Sequence, residues 1–153
     1  MRKVVCACII VATIMLDFVS KTWISETFYV GKIVPIFPGF NVTLAHNLGA
    51  AFSFLADEGG WQRYFLSGLA IAMVIIFSIW LHRTPLKDRC TRLGLSLIIG
   101  GAIGNVIDRF QYGYVIDFID VYVGVHHWPA FNMADSAICM GTGLLLLAMR
   151  RNA

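Results

Sequence analysis

Two carboxylates in the second half of the chain have the residue type and the surroundings that acid–base chemistry needs. Asp117 lies between Ile116 and Phe118 in an apolar stretch, and Asp135 stands at the entrance of an apolar helix. Two carboxyl groups held close together do not both ionise cheaply, so such a pair shares one proton. The ionised member can then activate water while the protonated member hydrogen-bonds a carbonyl oxygen. This chemistry needs neither a metal nor a nucleophilic serine, although spacing alone does not bring the two acids together.

Both acids also have simpler explanations. Asn132, three residues before Asp135, is a good N-cap residue, and the helix dipole favours an acid in the first turn. Asp117 and Asp120 can also be read as a pair of solvated loop acids. A cap and a catalytic role are compatible, because a helix entrance also supports a catalytic group.

Further polar residues interrupt the apolar segments. Asn105 and Asp108 share a helical face, with Arg109 four residues after Asn105; the alternative to a site is a helix end whose Asp108 and Arg109 are solvated. Asp17 and Lys21 are four residues apart and can pair on one face. A carboxylate in hydrocarbon costs about 2.5–3.5 kcal/mol on insertion scales, so an ion pair is the cheapest explanation. A structural pair explains the spacing as well as a functional one does.

Other chemistries lack their sequence signatures. The chain has no HExxH, no GxSxG and no glycine-rich phosphate loop, and its four cysteines show no zinc-binding spacing. His126 and His127 are adjacent, so their side chains do not easily point at one metal. No basic, aromatic-interleaved surface indicates nucleic acid. We therefore expect no cofactor, no metal site and no nucleic-acid partner.

The elements that must position these residues are apolar helices. Apolar residues make up 58% of the 153-residue chain and charged residues only 14%, against about 45–50% and about 25% in an average soluble domain. The composition excludes an ordinary soluble enzyme and favours a small integral membrane protein of one domain, 1–153. Four segments are apolar enough to span a bilayer: about residues 4–23, 64–81, 93–107 and 133–149.

Two spans have features of their own. The first follows Met1-Arg2-Lys3 as a secretory signal would, but no cleavage site comes after it, so we interpret it as a retained helix. The third is short unless it continues into Asp108 and Arg109. It also carries a small residue every four positions, which favours close helix packing over a direct role in a site: Ser96, Gly100 and Gly104.

The charges predict an orientation. Eight of the twelve basic residues lie before the first span, between the second and third, or after the fourth, together with Asp88 as the one acid. The positive-inside rule then puts both termini and the loop at 82–92 in the cytoplasm. The segments at about 24–63 and 108–132 lie on the outward side. Four of the acids are expected to be solvated boundary groups: Glu26, Asp57, Glu58 and Asp120.

The outward segments carry strand patterns. Residues 28–55 alternate in places and are interrupted by Pro35, Pro38 and Gly39, and residues 115–123 also have strand composition. Aromatic residues gather near the same boundary, as they do in an interfacial belt. We therefore expect a few short strands lying on the membrane surface.

Taken in order, the motifs resemble those of the lipoprotein signal peptidases (signal peptidase II), aspartyl peptidases of the bacterial inner membrane. They extend over about residues 17–136, nearly the whole chain, and His46 departs from them where the family often has Arg. The matching segments are Asp17-x-x-x-Lys21, Asn47-Leu48-Gly49-Ala50-Ala51-Phe52-Ser53, residues 100–109, Val115-Ile116-Asp117-Phe118 and Phe131-Asn132-Met133-Ala134-Asp135.

The resemblance implies a catalytic pair and a fold. Asp117 and Asp135 would be the catalytic dyad. The implied fold is an all-α membrane bundle, with four transmembrane helices and a small periplasmic β-sheet, or cradle, between the first and second spans. The residues implied to bind substrate or support the site are Asp17, Lys21, Asn47, Gly49, Asn105, Asp108, Arg109 and Asn132.

The resemblance also implies a reaction. It is the removal of signal peptides from diacylglyceryl-modified prolipoproteins, cut on the N-terminal side of the lipid-modified cysteine. Membrane lipid and the inhibitor globomycin are the other implied partners, and the site would lie on the periplasmic side of a multi-pass inner-membrane protein. Two alternatives from other classes are a small proton or ion transporter, for which no internal repeat is evident, and a scaffold whose acids only cap and pair.

Overall fold

The chain folds into four long helices and a small sheet. The computed structural model describes residues 1–49 and 61–152. In that part of the chain, four helices are long and apolar enough to cross a membrane, and each contains one predicted span. They are α1 (Lys3–Thr27), α2 (Gln62–Arg83), α3 (Arg89–Gln111) and α4 (Met133–Asn152). Helix α3 continues through Asp108 and Arg109, which gives it the length to span.

Helix α3 is the centre of the bundle, because α1, α2 and α4 all pack against it. Its small residues permit this close approach. A Cβ added at Gly100 would lie 2.7 Å from Thr13 Cβ in α1, and one added at Gly94 would lie 2.7 Å from the Gly141 carbonyl oxygen in α4. The small residues therefore act in helix packing, as their spacing predicts.

Four antiparallel strands join the segment after α1 and the segment after α3 into one sheet. Their order is β1 (Ile33–Phe37), β2 (Phe40–Asn47), β3 (Val115–Val123) and β4 (His126–His127). The predicted sheet between the first two helices is therefore extended by two strands from the segment between α3 and α4. Since these segments connect helix ends on the same side, the sheet defines one end of the bundle, called the sheet end below; the opposite end is the far end.

A small apolar core fixes β3 on the end of α1. Ile24 of α1 packs with Leu44 of β2 and with Ile116 and Phe118 of β3, and all four side chains are buried. Successive side chains of a strand point to opposite faces. Because Ile116 and Phe118 occupy the core face, Asp117 between them is directed to the other face of the sheet.

Candidate active site

The two predicted catalytic acids meet at the sheet end of the bundle. Asp117 comes from β3 and Asp135 from the first turn of α4, and both line one cavity of about 710 Å³. Asn47, Asn105 and Arg109 line the same cavity. Five of the site residues implied by the motifs are therefore gathered around one space, from four different elements.

Asp117 is buried and is held by amide groups. Its side chain is 2% exposed; Asn47 Nδ2 donates to one carboxyl oxygen at 3.0 Å, and Asn132 Nδ2 donates to the other at 2.7 Å. Burial first, and then the negative charge of Asp135, together raise the pKa of Asp117 to about 7, against the lowering effect of the two hydrogen bonds. This carboxyl is therefore protonated in a large fraction of molecules near neutral pH.

Asp135 lies beside it, half-buried, and accepts a hydrogen bond from Asn105 Nδ2 at 2.7 Å. Asn132 Oδ1 accepts from the Asp135 backbone N–H at 2.9 Å, which confirms the predicted N-cap. The Asn132 amide nitrogen also lies 3.2 Å from Asn105 Oδ1. Two asparagines thus connect the two acids: the cap and the site are the same structure.

A second polar cluster lies deeper, around Lys21. Its ammonium is 2.7 Å from Asp17 Oδ2 and 2.8 Å from Asp108 Oδ2, and it donates to Asn105 Oδ1 at 3.1 Å. The predicted Asp17–Lys21 pair is therefore confirmed, with Asp108 as a second partner. The alternative in which Asp108 is solvated at a helix end is wrong, because that residue is 4% exposed.

The same two carboxylates hold the neighbouring elements in place. Asp17 Oδ1 accepts from the Ala134 N–H at 2.8 Å, at the start of α4. Asp108 Oδ2 accepts from the Ile116 N–H at 3.1 Å, in β3. Since Asp117 follows Ile116 and Asp135 follows Ala134, each acid of the deeper cluster anchors the residue before one acid of the cavity.

Arg109 forms a further part of the cavity wall and lies close to Gly49. Arg109 Nη2 lies 3.4 Å from the Gly49 carbonyl oxygen, and Arg109 Nη1 lies 3.3 Å from the carbonyl oxygen of Asn105. The Gly49 N–H donates to Asn47 Oδ1 at 3.0 Å. This orients the side-chain amide so that its nitrogen, Nδ2, faces Asp117. The end of β2 is therefore shaped to direct Asn47 at the acid.

One of the expected solvated acids is not solvated. Glu26 is exposed as expected, but Asp120 is 6% exposed, accepts from Asn41 Nδ2 at 2.7 Å and lies 2.8 Å from His127 Nδ1. The expectation for Asp120 is wrong because strands on both sides cover it. Predictions for Asp57, Glu58 and residues 50–53 of the second motif lie outside the described residues.

The cavity also contains residues that sequence reasoning did not assign to a site. His46 stacks on Tyr114 with ring centroids 3.9 Å apart, and burial lowers its pKa. Trp128 and Phe131 belong to a segment, residues 128–131, that forms one wall. The sequence signals for this segment were its aromatic content, which predicted a membrane interface, and Phe131, which begins the last of the family motifs.

The chemistry of the cavity follows from these contacts. A carboxyl with a pKa near 7 faces a second carboxyl across a space large enough for a peptide segment and water. Within the described ranges, no group of three or more His, Cys, Asp or Glu side chains is arranged to hold a metal ion. The described side chains provide two carboxyl groups and amide donors, and these are the groups that hydrolysis by an acid pair requires.

Comparison with known proteins decides which family has this arrangement. The family model described as signal peptidase (SPase) II matches residues 9–151. The chain belongs to the signal peptidase II family. This confirms the predicted enzyme class, an aspartic peptidase of family A8 that acts as a signal peptidase. The transporter and scaffold alternatives find no support in this family.

Bacterial relatives and a solved structure agree with the family. A lipoprotein signal peptidase of Serratia proteamaculans (strain 568) is 47% identical over 91% of this chain and 82% of its own length. One of Escherichia coli O1:K1 / APEC is 45% identical over 91% of this chain and 85% of its own. A bacterial membrane enzyme solved by the in meso method at 2.3 Å resolution superposes with a TM-score of 0.88 at 29% identity, over 98% of this chain and 90% of that one. The predicted bundle with its small sheet is thereby confirmed.

Proposed function

We propose that Asp117 and Asp135 cut the signal peptide from prolipoproteins as an acid pair that shares one proton. The observation that carries this proposal is their joint position in one cavity, where burial and the charge of Asp135 bring the pKa of Asp117 to about 7. Asp117 is the member that holds the proton. Asp135 is the base, since it is half-buried and lies at the N-terminus of α4, where the helix dipole favours negative charge.

The proposed reaction uses each carboxyl twice. Asp135 takes a proton from a water molecule while the oxygen of that water bonds to the scissile carbonyl carbon. At the same time Asp117 donates its proton to the carbonyl oxygen. The tetrahedral intermediate then collapses as the C–N bond breaks. The proton on Asp135 passes to the leaving amine, and Asp117 recovers its own proton from the hydroxyl that becomes the carbonyl again.

The remaining site residues position this pair. Asn132 and Asn105 link the two carboxyls and fix their orientation, and Asn47 holds the second oxygen of Asp117. Arg109 forms part of the wall that faces the peptide, and the Gly49 carbonyl oxygen lies close to its guanidinium. The support residues are those of the deeper cluster, Asp17, Lys21 and Asp108. This cluster fixes the start of α4 and the position of β3.

The proposed substrate carries a diacylglyceryl group on the cysteine that follows the cut. The cavity lies at the sheet end of a membrane bundle, and apolar side chains from β3, α4 and residues 128–131 line it beside the two acids. A precursor anchored by its own signal helix and two acyl chains reaches such a site from within the bilayer. We propose that globomycin binds across the two acids and that membrane lipid surrounds the α2 face.

The proposed location is the bacterial inner membrane, with the site on the periplasmic side. The Met1 ammonium donates to the Leu86 carbonyl oxygen, so the N-terminus and the α2–α3 loop lie together at the far end. That loop and the helix ends beside it are basic, including Arg83, Lys87 and Arg89. Such an excess of basic residues is typical of the cytoplasmic side, which leaves the sheet end outside.

Cleavage by the purified protein tests this function. The wild-type protein in detergent micelles should cut a diacylglyceryl-modified precursor, leave the unmodified precursor intact and be blocked by globomycin. Asp117→Asn and Asp135→Asn should each lower kcat/KM at least about 10³-fold, because each loses one half of the acid–base pair. Glu26→Gln, the same change at an exposed acid, should retain activity. Full activity in either dyad variant would refute the proposal.

A further inference from the structure

We propose that Asp120 is a positioning residue that fixes the substrate-binding wall formed by residues 128–131, acting through His127. The proposal rests on the peptidase function proposed above and adds a residue that does not line the cavity. Its starting point is a buried carboxylate that the reaction does not use.

Asp120 cross-links three neighbouring strands. It belongs to β3, accepts from Asn41 Nδ2 of β2 at 2.7 Å, and lies 2.8 Å from His127 Nδ1 of β4. Because a carboxylate only accepts, the hydrogen on this contact belongs to His127. Asn41 is also the residue of β2 that pairs with Asp120 in the sheet, so one carboxyl oxygen of Asp120 is fixed on the β2 side. The other carboxyl oxygen accepts from His127 of β4.

Strand β4 depends on this contact more than a longer strand would. It has two residues, and among the residues that the structure describes they pair as His127 with Tyr122 and His126 with Val123. The His127 ring stacks on Tyr122 with centroids 4.9 Å apart. Two backbone pairs and one ring contact give an edge strand little stability of its own, so the charge-assisted hydrogen bond that His127 donates to the buried Asp120 carboxylate is a large part of what holds it.

The wall begins at the next residue. Residues 128–131 follow His127 directly and line the cavity. Their C-terminal end is held separately by two backbone hydrogen bonds. The Phe131 N–H donates to the Ile119 carbonyl oxygen at 3.1 Å, and the Ile119 N–H donates to the Phe131 carbonyl oxygen at 2.8 Å. The N-terminal end is tied by His127 and by the Trp128 N–H, which donates to the Val121 carbonyl oxygen at 2.8 Å.

Loss of the Asp120–His127 contact should therefore loosen the wall and leave the acids in place. Asp117 is held by hydrogen bonds from Asn47 and Asn132, whereas Asp120 is hydrogen-bonded to Asn41 and His127. Asp135 is held by Asn105. A residue that acts on the wall alone changes substrate binding, and hence KM, while kcat stays near its original value.

Two substitutions of His127 separate the hydrogen bond from the ring. His127→Phe keeps a ring that can stack on Tyr122 and removes the N–H donor, whereas His127→Asn keeps an N–H donor near the position of Nδ1. We expect His127→Phe to raise KM for the diacylglyceryl-modified precursor about 10-fold, with kcat within about twofold, and His127→Asn to recover most of the loss. His126→Ala, in the adjacent exposed position, should leave both constants unchanged.

An unchanged KM in His127→Phe would overturn the proposal, as would a kcat loss that His127→Asn does not reverse. Amide hydrogen exchange gives a second measurement: exchange at residues 126–130 should increase in Asp120→Asn relative to wild type, and unchanged exchange there contradicts the role of Asp120. The two proposals fail differently. If wild-type protein does not cut the precursor, the peptidase function fails; if it does and His127→Phe is normal, only the role of Asp120 fails.

Discussion

The sheet end of the bundle contains two groups of carboxylates whose partners differ in charge. Asp17 and Asp108 both contact the ammonium of Lys21, at 2.7 and 2.8 Å. Asp117 and Asp135 contact the amides of asparagines, and no basic nitrogen of the described residues lies within 4 Å of either carboxyl. All four acids come from the same small region, so the difference lies in the partner and not in the depth alone.

The partner determines what each carboxylate can do. A cation in contact favours the ionised form, and the resulting pair is a fixed structural element. A neutral amide stabilises the ionised carboxylate much less than a cation does. Burial and the neighbouring charge of Asp135 therefore prevail, and the pKa of Asp117 rises to about 7. Asparagines therefore allow Asp117 to gain and lose a proton at the cavity, while Lys21 joins Asp17 and Asp108 in a fixed ion-paired cluster.

The largest expected effect comes from removing the cation. Lys21→Met leaves Asp17 and Asp108 buried without their partner, which should lower the free energy of unfolding by about 3–5 kcal/mol. Chemical unfolding in detergent micelles measures it, with Lys87→Met at the exposed far end as the control.

A triple variant sharpens this test. Lys21→Met combined with Asp17→Asn and Asp108→Asn should recover much of the lost stability, because an asparagine oxygen can still accept from the Ala134 and Ile116 N–H groups. If the triple variant is as unstable as Lys21→Met alone, the unpaired charges are not the cause.

Replacing the ionisable carboxyl of Asp117 should increase the stability of the protein near neutral pH, whereas Lys21→Met lowers it. The pKa of Asp117 is about 7 in the folded chain and 3.8 as the ordinary value, so wild-type stability falls as pH rises from about 4 to about 7 and then levels off. Asp117→Asn lacks this loss. Its unfolding free energy relative to wild type should therefore increase over that pH window by an amount with an upper limit of about 4 kcal/mol.

Unfolding measured at several pH values tests this window. Glu26→Gln, at an exposed acid, should keep a constant small difference from wild type across it. A difference between Asp117→Asn and wild type that does not change with pH would mean that folding does not raise the pKa of Asp117.

The smallest expected effect concerns the packing that brings the two clusters together. A Cβ at Gly104 would lie 2.6 Å from Asp17 Oδ2, so Gly104→Ala should cost about 1–3 kcal/mol of stability. Gly143 has no atom within 4 Å of an added Cβ, and Gly143→Ala should be neutral or stabilise by up to about 1 kcal/mol. Thermal unfolding of the two variants compares them, and equal midpoints would argue against close α1–α3 packing.

The helices were predictable because hydropathy over 18 or more residues is a property of the sequence itself. The Asp17–Lys21 pair and the Asn132 cap were predictable for a related reason, since both depend on spacings of three or four residues within one helix. The pairing of Asp117 with Asp135, which we propose as the dyad, was not available from spacing, because it depends on how β3 meets α4. The ordered family motifs supplied it.

The failures have a common physical origin. Asp120 was expected in solvent, yet Asn41 and His127 cover it from two strands whose pairing is not visible in a linear pattern. Arg92 was counted among the basic residues of a cytoplasmic loop, yet it is buried, and its guanidinium donates to the Leu81 and Thr84 carbonyl oxygens at 3.1 and 2.8 Å. In both cases the partners are distant in sequence or belong to a turn, so the composition of the segment gave no signal.

The pH dependence of kcat/KM for the diacylglyceryl-modified precursor tests the central claim most directly, namely that Asp117 holds the proton that the reaction needs. Activity should fall with increasing pH above about 7, about 10-fold per unit, as Asp117 loses its proton. A rate that stays constant to pH 9, or the same profile in an active Asp117→Asn variant, would contradict the account.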